Sequence, residues 1–295
     1  MKAKACWAIA CAATVAACAG QDGRDPPSES EPTSTTSALD EALAKPGKVQ
    51  PIYVLVNSAE DVCTPTAACG LARIRPVNER RRPELVRLDE SGLSRQAIEQ
   101  MAGAQDGTLV LRGVLARDDG ERARLPTFTV LEAWRGMPGV EPSRQSAYVR
   151  VEMSAGHLFA QFLDEERRQP IREVSLASGV APVGNGDWLA SRVLGHYGLV
   201  AGTFDRETLE ATQVFVHLPD VPGPCPMLIV RCEEGTVATY ERDANHCLEP
   251  TGCVSRGICP MYIPACASGY TLASWASKPG GCAAFACDPA FVDMH

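Results

Sequence analysis

The chain has little of what most function classes require. Basic residues are not in excess: 28 Lys and Arg stand against 36 Asp and Glu, for a net charge of −8. That balance leaves no electrostatic footprint for a polyanion, so nucleic acid is excluded as a partner. Aromatic residues make up 6% of the chain, and Trp134, Trp188 and Trp275 stand singly, in no run that suggests a stacking platform. No apolar stretch beyond the N-terminal leader approaches the roughly 20 residues of a membrane-spanning helix. Common catalytic signatures are missing too: there is no Gly-x-Ser-x-Gly elbow, phosphate loop, His-Glu-x-x-His or calcium loop. No two Cys have the spacing of a zinc knuckle or a thioredoxin-like motif. No catalytic residue, metal or cofactor is therefore expected.

What is present begins with an export signature. Lys2 and Lys4 precede an Ala-rich apolar run from Ala5 to Ala17, too short to span a bilayer and suited to a signal peptide, residues 1–17. The run ends in Val15-Ala16-Ala17-Cys18, which resembles a bacterial lipobox and makes Cys18 the expected lipid-attachment site. Residue 19 is Ala rather than Asp, which favours an outer-membrane lipoprotein facing the periplasm or the cell surface. Residues 18–48 are rich in Ser, Thr, Pro, Asp and Glu. They bury too little apolar surface to offset ordering entropy, and read as a disordered tether.

The chain contains 13 Cys. Three belong to the leader and anchor. Cys63 and Cys69 form a local pair, and eight lie between Cys225 and Cys287. An even number in an exported chain argues for disulfides. The tail is a tandem: Cys225-Pro226-Met227-Leu228-Ile229-Val230-Arg231-Cys232 recurs as Cys259-Pro260-Met261-Tyr262-Ile263-Pro264-Ala265-Cys266. Cys247 and Cys253 complete the first copy, residues 224–254. Cys282 and Cys287 complete the second, residues 258–290. Units this small need staples because they cannot build a sufficient core. Four Cys within each copy leave three pairings open. Trp275 and Tyr240, in the long loops between the second and third Cys, are either binding anchors or covers for their own small cores.

A fainter duplication spans the middle. Tyr53-Val54-Leu55-Val56 matches Tyr148-Val149-Arg150-Val151, and Asn78-Glu79-Arg80-Arg81-Arg82-Pro83 aligns with Glu165-Glu166-Arg167-Arg168-Gln169-Pro170. Leu111-Arg112-Gly113-Val114-Leu115 aligns with Val200-Ala201-Gly202-Thr203-Phe204. Periodicity predicts strands at 52–57, 70–76, 85–88, 108–115 and 127–134, with a helix starting at Ser94, whose buried face would hold Ile98 and Met101. The second copy gives strands at 147–152, 157–162, 171–176, 198–204 and 211–217, with a helix near 187–194. The expected fold is α+β: two similar, mainly antiparallel, OB-like domains at 49–140 and 145–220, each with one helix, then a disulfide-rich module at 224–295.

Copy one resembles an uncharacterised domain family of exported bacterial lipoproteins. The matching residues are Tyr53-Val54-Leu55-Val56, Cys63, Cys69-Gly70, Val77-Asn78, Leu111-Arg112-Gly113 and Glu132-Ala133-Trp134. The resemblance implies secretion and carries no catalytic residue across. The repeated clusters Arg80, Arg81, Arg82 and Arg167, Arg168 are candidate anion-binding residues, since Arg suits planar carboxylate or phosphate recognition. Their alternative is a solvated turn paired with neighbouring Glu. His157, His196 and His217 fall in or beside strands and read as sheet histidines. Asp164-Glu165-Glu166 and Asp187 read as polar surface.

The leading expectation is a non-enzymatic cell-envelope lipoprotein that touches the membrane through its lipid and binds an envelope protein or glycan. The alternatives are a secreted-protease inhibitor, with the Cys232–Cys247 and Cys266–Cys282 loops as bait, and an unrecognised hydrolase.

Overall fold

Short runs of Val, Leu, Ile and Phe with period-two alternation build strands, because alternate side chains reach opposite faces of the sheet. The computed structural model describes residues 50–60, 70–117, 125–143, 145–177, 180, 183–195, 198–220, 225–226 and 229–292. Cys18, Cys63, Cys69 and His196 lie outside them.

The first half runs β1 (Ile52–Glu60), β2 (Leu71–Pro76), β3 (Glu84–Asp89), α1 (Arg95–Met101), β4 (Leu109–Ala116) and β5 (Thr127–Gly136). The Ser94 side chain caps α1 by accepting from the Ala97 N–H at 3.1 Å. The helix buries Ala97, Gln100 and Met101, while Ile98 is only half-buried. The second half runs β6 (Ala147–Ser154), β7 (His157–Phe162), β8 (Arg168–Ile171), β9 (Glu173–Leu176), α2 (Gly186–Leu194), β10 (Gly198–Asp205) and β11 (Thr208–Leu218).

The two halves pair their strands alike. β1 joins β2 and β4, β2 joins β3, and β4 joins β5, all antiparallel. β3 then closes onto β5 in parallel. In the second half β6 joins β7 and β10, β7 joins β8, and β10 joins β11, again antiparallel. Here the third strand is split at Arg172, whose N–H donates to the Glu207 carbonyl. β8 therefore serves β7, and β9 closes in parallel onto β11. An antiparallel pairing of β5 with β11 joins the two circuits into one sheet path.

The repeated glycines mark a shared bend. The register slips between Arg112 and Gly113 in β4 and between Ala201 and Gly202 in β10. A Cβ on Gly113 would lie 2.2 Å from the Thr129 carbonyl oxygen, and one on Gly202 would lie 2.5 Å from that of Glu210. Both fourth strands thus bend across their neighbour at a position that excludes a side chain.

Strand alternation also explains why neither circuit is polar all round. Val54 and Val56 point into the first circuit's core. Tyr53 and Leu55 point outward, yet remain buried, because the second circuit covers them. They cluster with Val110 and Trp134 against Tyr148, Leu199, Ala201 and Phe215.

The tail forms two hairpins, β12 (Thr236–Arg242) with β13 (Leu248–Ser255), and β14 (Tyr270–Ser277) with β15 (Cys282–Pro289). Each copy joins its first Cys to its third and its second to its fourth: Cys225–Cys247 and Cys232–Cys253, then Cys259–Cys282 and Cys266–Cys287. The two long loops expected to carry bait are therefore largely strand. Trp275 is half-buried with the Arg242 guanidinium 5.5 Å from its ring centre, and Tyr240 is half-buried on its own hairpin.

Staples are not the tail's whole support. The Cys287 N–H donates to Val183 O at 3.0 Å. Gly184, at φ +76°, lets the backbones meet where a Cβ would lie 2.8 Å from Ala286 Cβ and Phe285 O. Phe291 and Val292 end the described chain inside the main core. The molecule is thus mostly β, with two short helices among the described residues and four disulfides in the tail.

Candidate functional site

The site begins with two turns of similar build, one after the second strand of each half. The Val77 N–H donates to Tyr53 O after β2, and the Leu163 N–H donates to Tyr148 O after β7. The next residue in each case is polar with left-handed backbone: Asn78 at φ 58° and Asp164 at φ 60°. Asn and Asp tolerate this conformation better than other side-chain-bearing residues. The structural equivalence is therefore Asn78 with Asp164, one residue away from the pairing that the Arg runs suggest. In the corrected register Glu79 pairs with Arg81 at 2.6 Å, and Glu165 pairs with Arg167 at 3.2 Å.

Each polar residue reaches into the other half. The Asn78 amide donates to Tyr148 O at 2.9 Å and to Leu163 O at 3.1 Å, and accepts from the Tyr148 N–H at 2.7 Å. In return the Tyr53 N–H donates to the Asp164 carboxylate at 2.7 Å. Two reciprocal bonds thus clasp the first strand of each half. Nothing in a linear pattern separates these residues from ordinary turn polar groups, although their place after a strand and before an Arg run is a usable signal.

The turns flank an open cleft of about 590 Å³ between the halves. Arg75, Arg80 and Arg167 line it, with the carboxylates of Glu79, Asp106, Glu141 and Glu165. Among the five candidate arginines, Arg80 and Arg167 face the cleft. Arg81 is held by Glu79, and Arg82 is exposed away from it. Arg168 lies over the Phe159 ring at 3.9 Å and near Glu152 at 3.8 Å, on the outer face of β6, β7 and β8. Arg75 is an addition: its neighbour Ile74 points into the core, so Arg75 points out toward the second half. Arg75 and Arg80 belong to no ion pair among the described residues, nor do Asp106 and Glu141.

A second polar group crosses the joined sheet. Arg112 pairs with Glu132, and His217 Nε2 lies 3.6 Å from the other Glu132 carboxylate oxygen. The His217 ring meets Trp134 edge-on at 5.0 Å. The Tyr53 hydroxyl accepts from Arg150 at 2.7 Å. His217 is the leading cause that draws the Glu132 carboxyl down to about 2, and Arg112 adds to it against the cost of burial. A depressed carboxyl stabilises the fold above its unfolded value near 4.5, and that contribution is lost as pH falls toward about 2. The side chain is about one-third exposed. Solvent screening then limits the effect to about 1 kcal/mol. Glu132→Gln should flatten stability between pH 5 and pH 2 by about that much in acid titrations followed by circular dichroism.

No protein-family model matches the chain. It is 40% identical over 111 residues to an uncharacterised protein of Dictyostelium discoideum, across 36% of this chain and 38% of that protein. The chain thus spans well under two-thirds of that relative. The relative is eukaryotic, and this overturns the resemblance to a family of exported bacterial lipoproteins. The motifs that carried the resemblance have structural reasons of their own. Tyr53-Val54-Leu55-Val56 is a two-faced buried strand, and Leu111-Arg112-Gly113 is the bend of β4.

Proposed function

We propose that this chain is an exported, non-enzymatic binding protein whose inter-repeat cleft holds a small ligand bearing a carboxylate. The observation that carries this reading is that Arg75 and Arg80 reach one cleft while free of any ion pair among the described residues. Guanidinium forks suit carboxylates, and the cleft volume falls within the range of small-ligand sites. Four disulfides support export, as does the leader ahead of Cys18. Each circuit is best described as an OB-like barrel, with its helix between the third and fourth strands, but that likeness does not by itself assign a ligand.

Calorimetric titration of the oxidised chain with acidic oligosaccharides and acidic peptides, beside their neutral analogues, tests the proposal. Saturable binding should be restricted to the acids. Arg75→Ala and Arg80→Ala should each weaken it on the order of tenfold, the effect of losing one charge-assisted hydrogen bond. Equal binding of neutral analogues, or none by any acid, would defeat the reading.

A further inference from the structure

Among the described residues, the two most exposed large apolar side chains lie outside the cleft lining, in the segment that precedes the last hairpin. Met261 is 104% exposed, Ile258 102%, Tyr262 71% and Ile263 70%. Residues 256–267 run without helix, strand, turn or bend. From Pro260 to Pro264 no backbone group takes part in a hydrogen bond among the described residues. Both ends of this segment are fixed to one hairpin, by Cys259–Cys282 and Cys266–Cys287. Pro260 and Pro264 stiffen it further, and no charged residue lies between the two Cys. In the other tail copy Ile229 is 86% exposed between Cys225 and Cys232.

We propose that the Cys259–Cys266 segment is an inhibitory strand that occupies the substrate cleft of an endopeptidase with an apolar primary pocket, with Met261 as the side chain that enters it. Three properties favour this occupant. A chain with free N–H and C=O groups can add as a strand to a cleft that binds extended peptide. Pinning at both ends removes most of the ordering cost that a flexible peptide would meet on binding. The disulfides also change the outcome of cleavage. Hydrolysis adds one water across the Met261–Tyr262 bond, giving a Met261 carboxylate and a Tyr262 amine. Neither new end can leave, because each remains tied to the β14–β15 hairpin through its own disulfide. The cut product stays in the cleft and blocks it. The long loops between the second and third Cys cannot play this part, because their central residues are paired in hairpins.

The test uses the full oxidised chain with serine endopeptidases of apolar and of basic primary specificity. Inhibition should be confined to the apolar group. Any slow nick should fall at Met261–Tyr262, adding the mass of one water and separating fragments only after reduction. Met261→Asp should weaken inhibition on the order of 30-fold or more, as for a central anchor, and Met261→Leu should retain it. Neither should move the thermal midpoint, since the side chain touches nothing. No inhibition, nicking elsewhere, or undiminished inhibition by Met261→Asp would overturn the proposal. So would vesicle binding or self-association that depends on Met261 in the absence of inhibition, which would assign the surface to a membrane or to a second copy. Ligand binding in the cleft is a separate measurement, so either proposal can fail alone.

Discussion

Asp288→Ala should cost about 3–5 kcal/mol of stability, the penalty for leaving a buried charge without its partner. Asp288 sits on β15, and Arg242 on β12 reaches it with both terminal guanidinium nitrogens, at 2.8 and 2.6 Å. The side chains are 2% and 8% exposed, respectively. Asn185, just before α2, donates to Asp288 at 3.0 Å and also to the Cys287 carbonyl. Three parts of the chain therefore meet at one carboxylate: both tail hairpins and the segment that leads into α2. Removal of Asp288 strands a guanidinium in a dry site and takes one acceptor from Asn185. Arg242→Ala should be comparably damaging. The double variant Arg242→Met with Asp288→Leu should lose much less, because no charge is then left buried. Urea unfolding of the oxidised proteins decides the matter. A loss under about 1 kcal/mol for Asp288→Ala would show that water reaches the pair.

That ion pair also shows where linear reading stops. The strands were legible because alternation is a local property. Eight of the ten expected strands start within one residue of an observed strand, and the Ser94 cap lies where its side chain predicts. The repeated Gly113 and Gly202 were visible as matching letters, and the structure supplies their cause in a bend that no Cβ permits. The disulfide pattern was narrowed to three choices by the repeat, but choosing among them needs the fold, because the second Cys of each copy lies outside the hairpin strand that carries the fourth. Arg242, Asn185 and Asp288 carry no pattern at all, because their meaning depends on elements 46 and 103 residues apart in sequence.

The site was half legible for a similar reason. The Arg runs drew attention to both turns, and Arg80 and Arg167 do reach the cleft. Matching the runs letter by letter put Asn78 opposite Glu165. Backbone geometry puts it opposite Asp164, because the left-handed residue and the preceding N–H bond define the turn, and the charged residues after it do not. Arg75 was overlooked because an outward side chain on a strand reads as solvent-facing. Only the second half turns that direction into a cleft wall.

The two turns should respond asymmetrically to substitution. Asn78 and Asp164 are nearly isosteric and occupy equivalent places, yet exchanging their types should have opposite consequences. Asn78 donates to two carbonyls and accepts one N–H. Asn78→Asp removes both donations and places a carboxylate against two carbonyl oxygens, for an expected loss of about 2–3 kcal/mol. Lowering the pH should recover part of it, because a protonated acid can donate once more. Asp164 only accepts, from the Tyr53 N–H, and an Asn oxygen can do the same. Burial raises the Asp164 carboxyl above its ordinary value, with the Tyr53 bond opposing. A raised carboxyl weakens the fold above its folded value and has no effect below the unfolded one. Asp164→Asn should therefore be neutral or slightly stabilising near pH 7, within about 0.5 kcal/mol since the side chain is only partly screened from solvent, with no gain near pH 3. Denaturant midpoints of both variants at the two pH values test the clasp. Equal losses for the two substitutions would mean that the halves are held by their apolar faces alone.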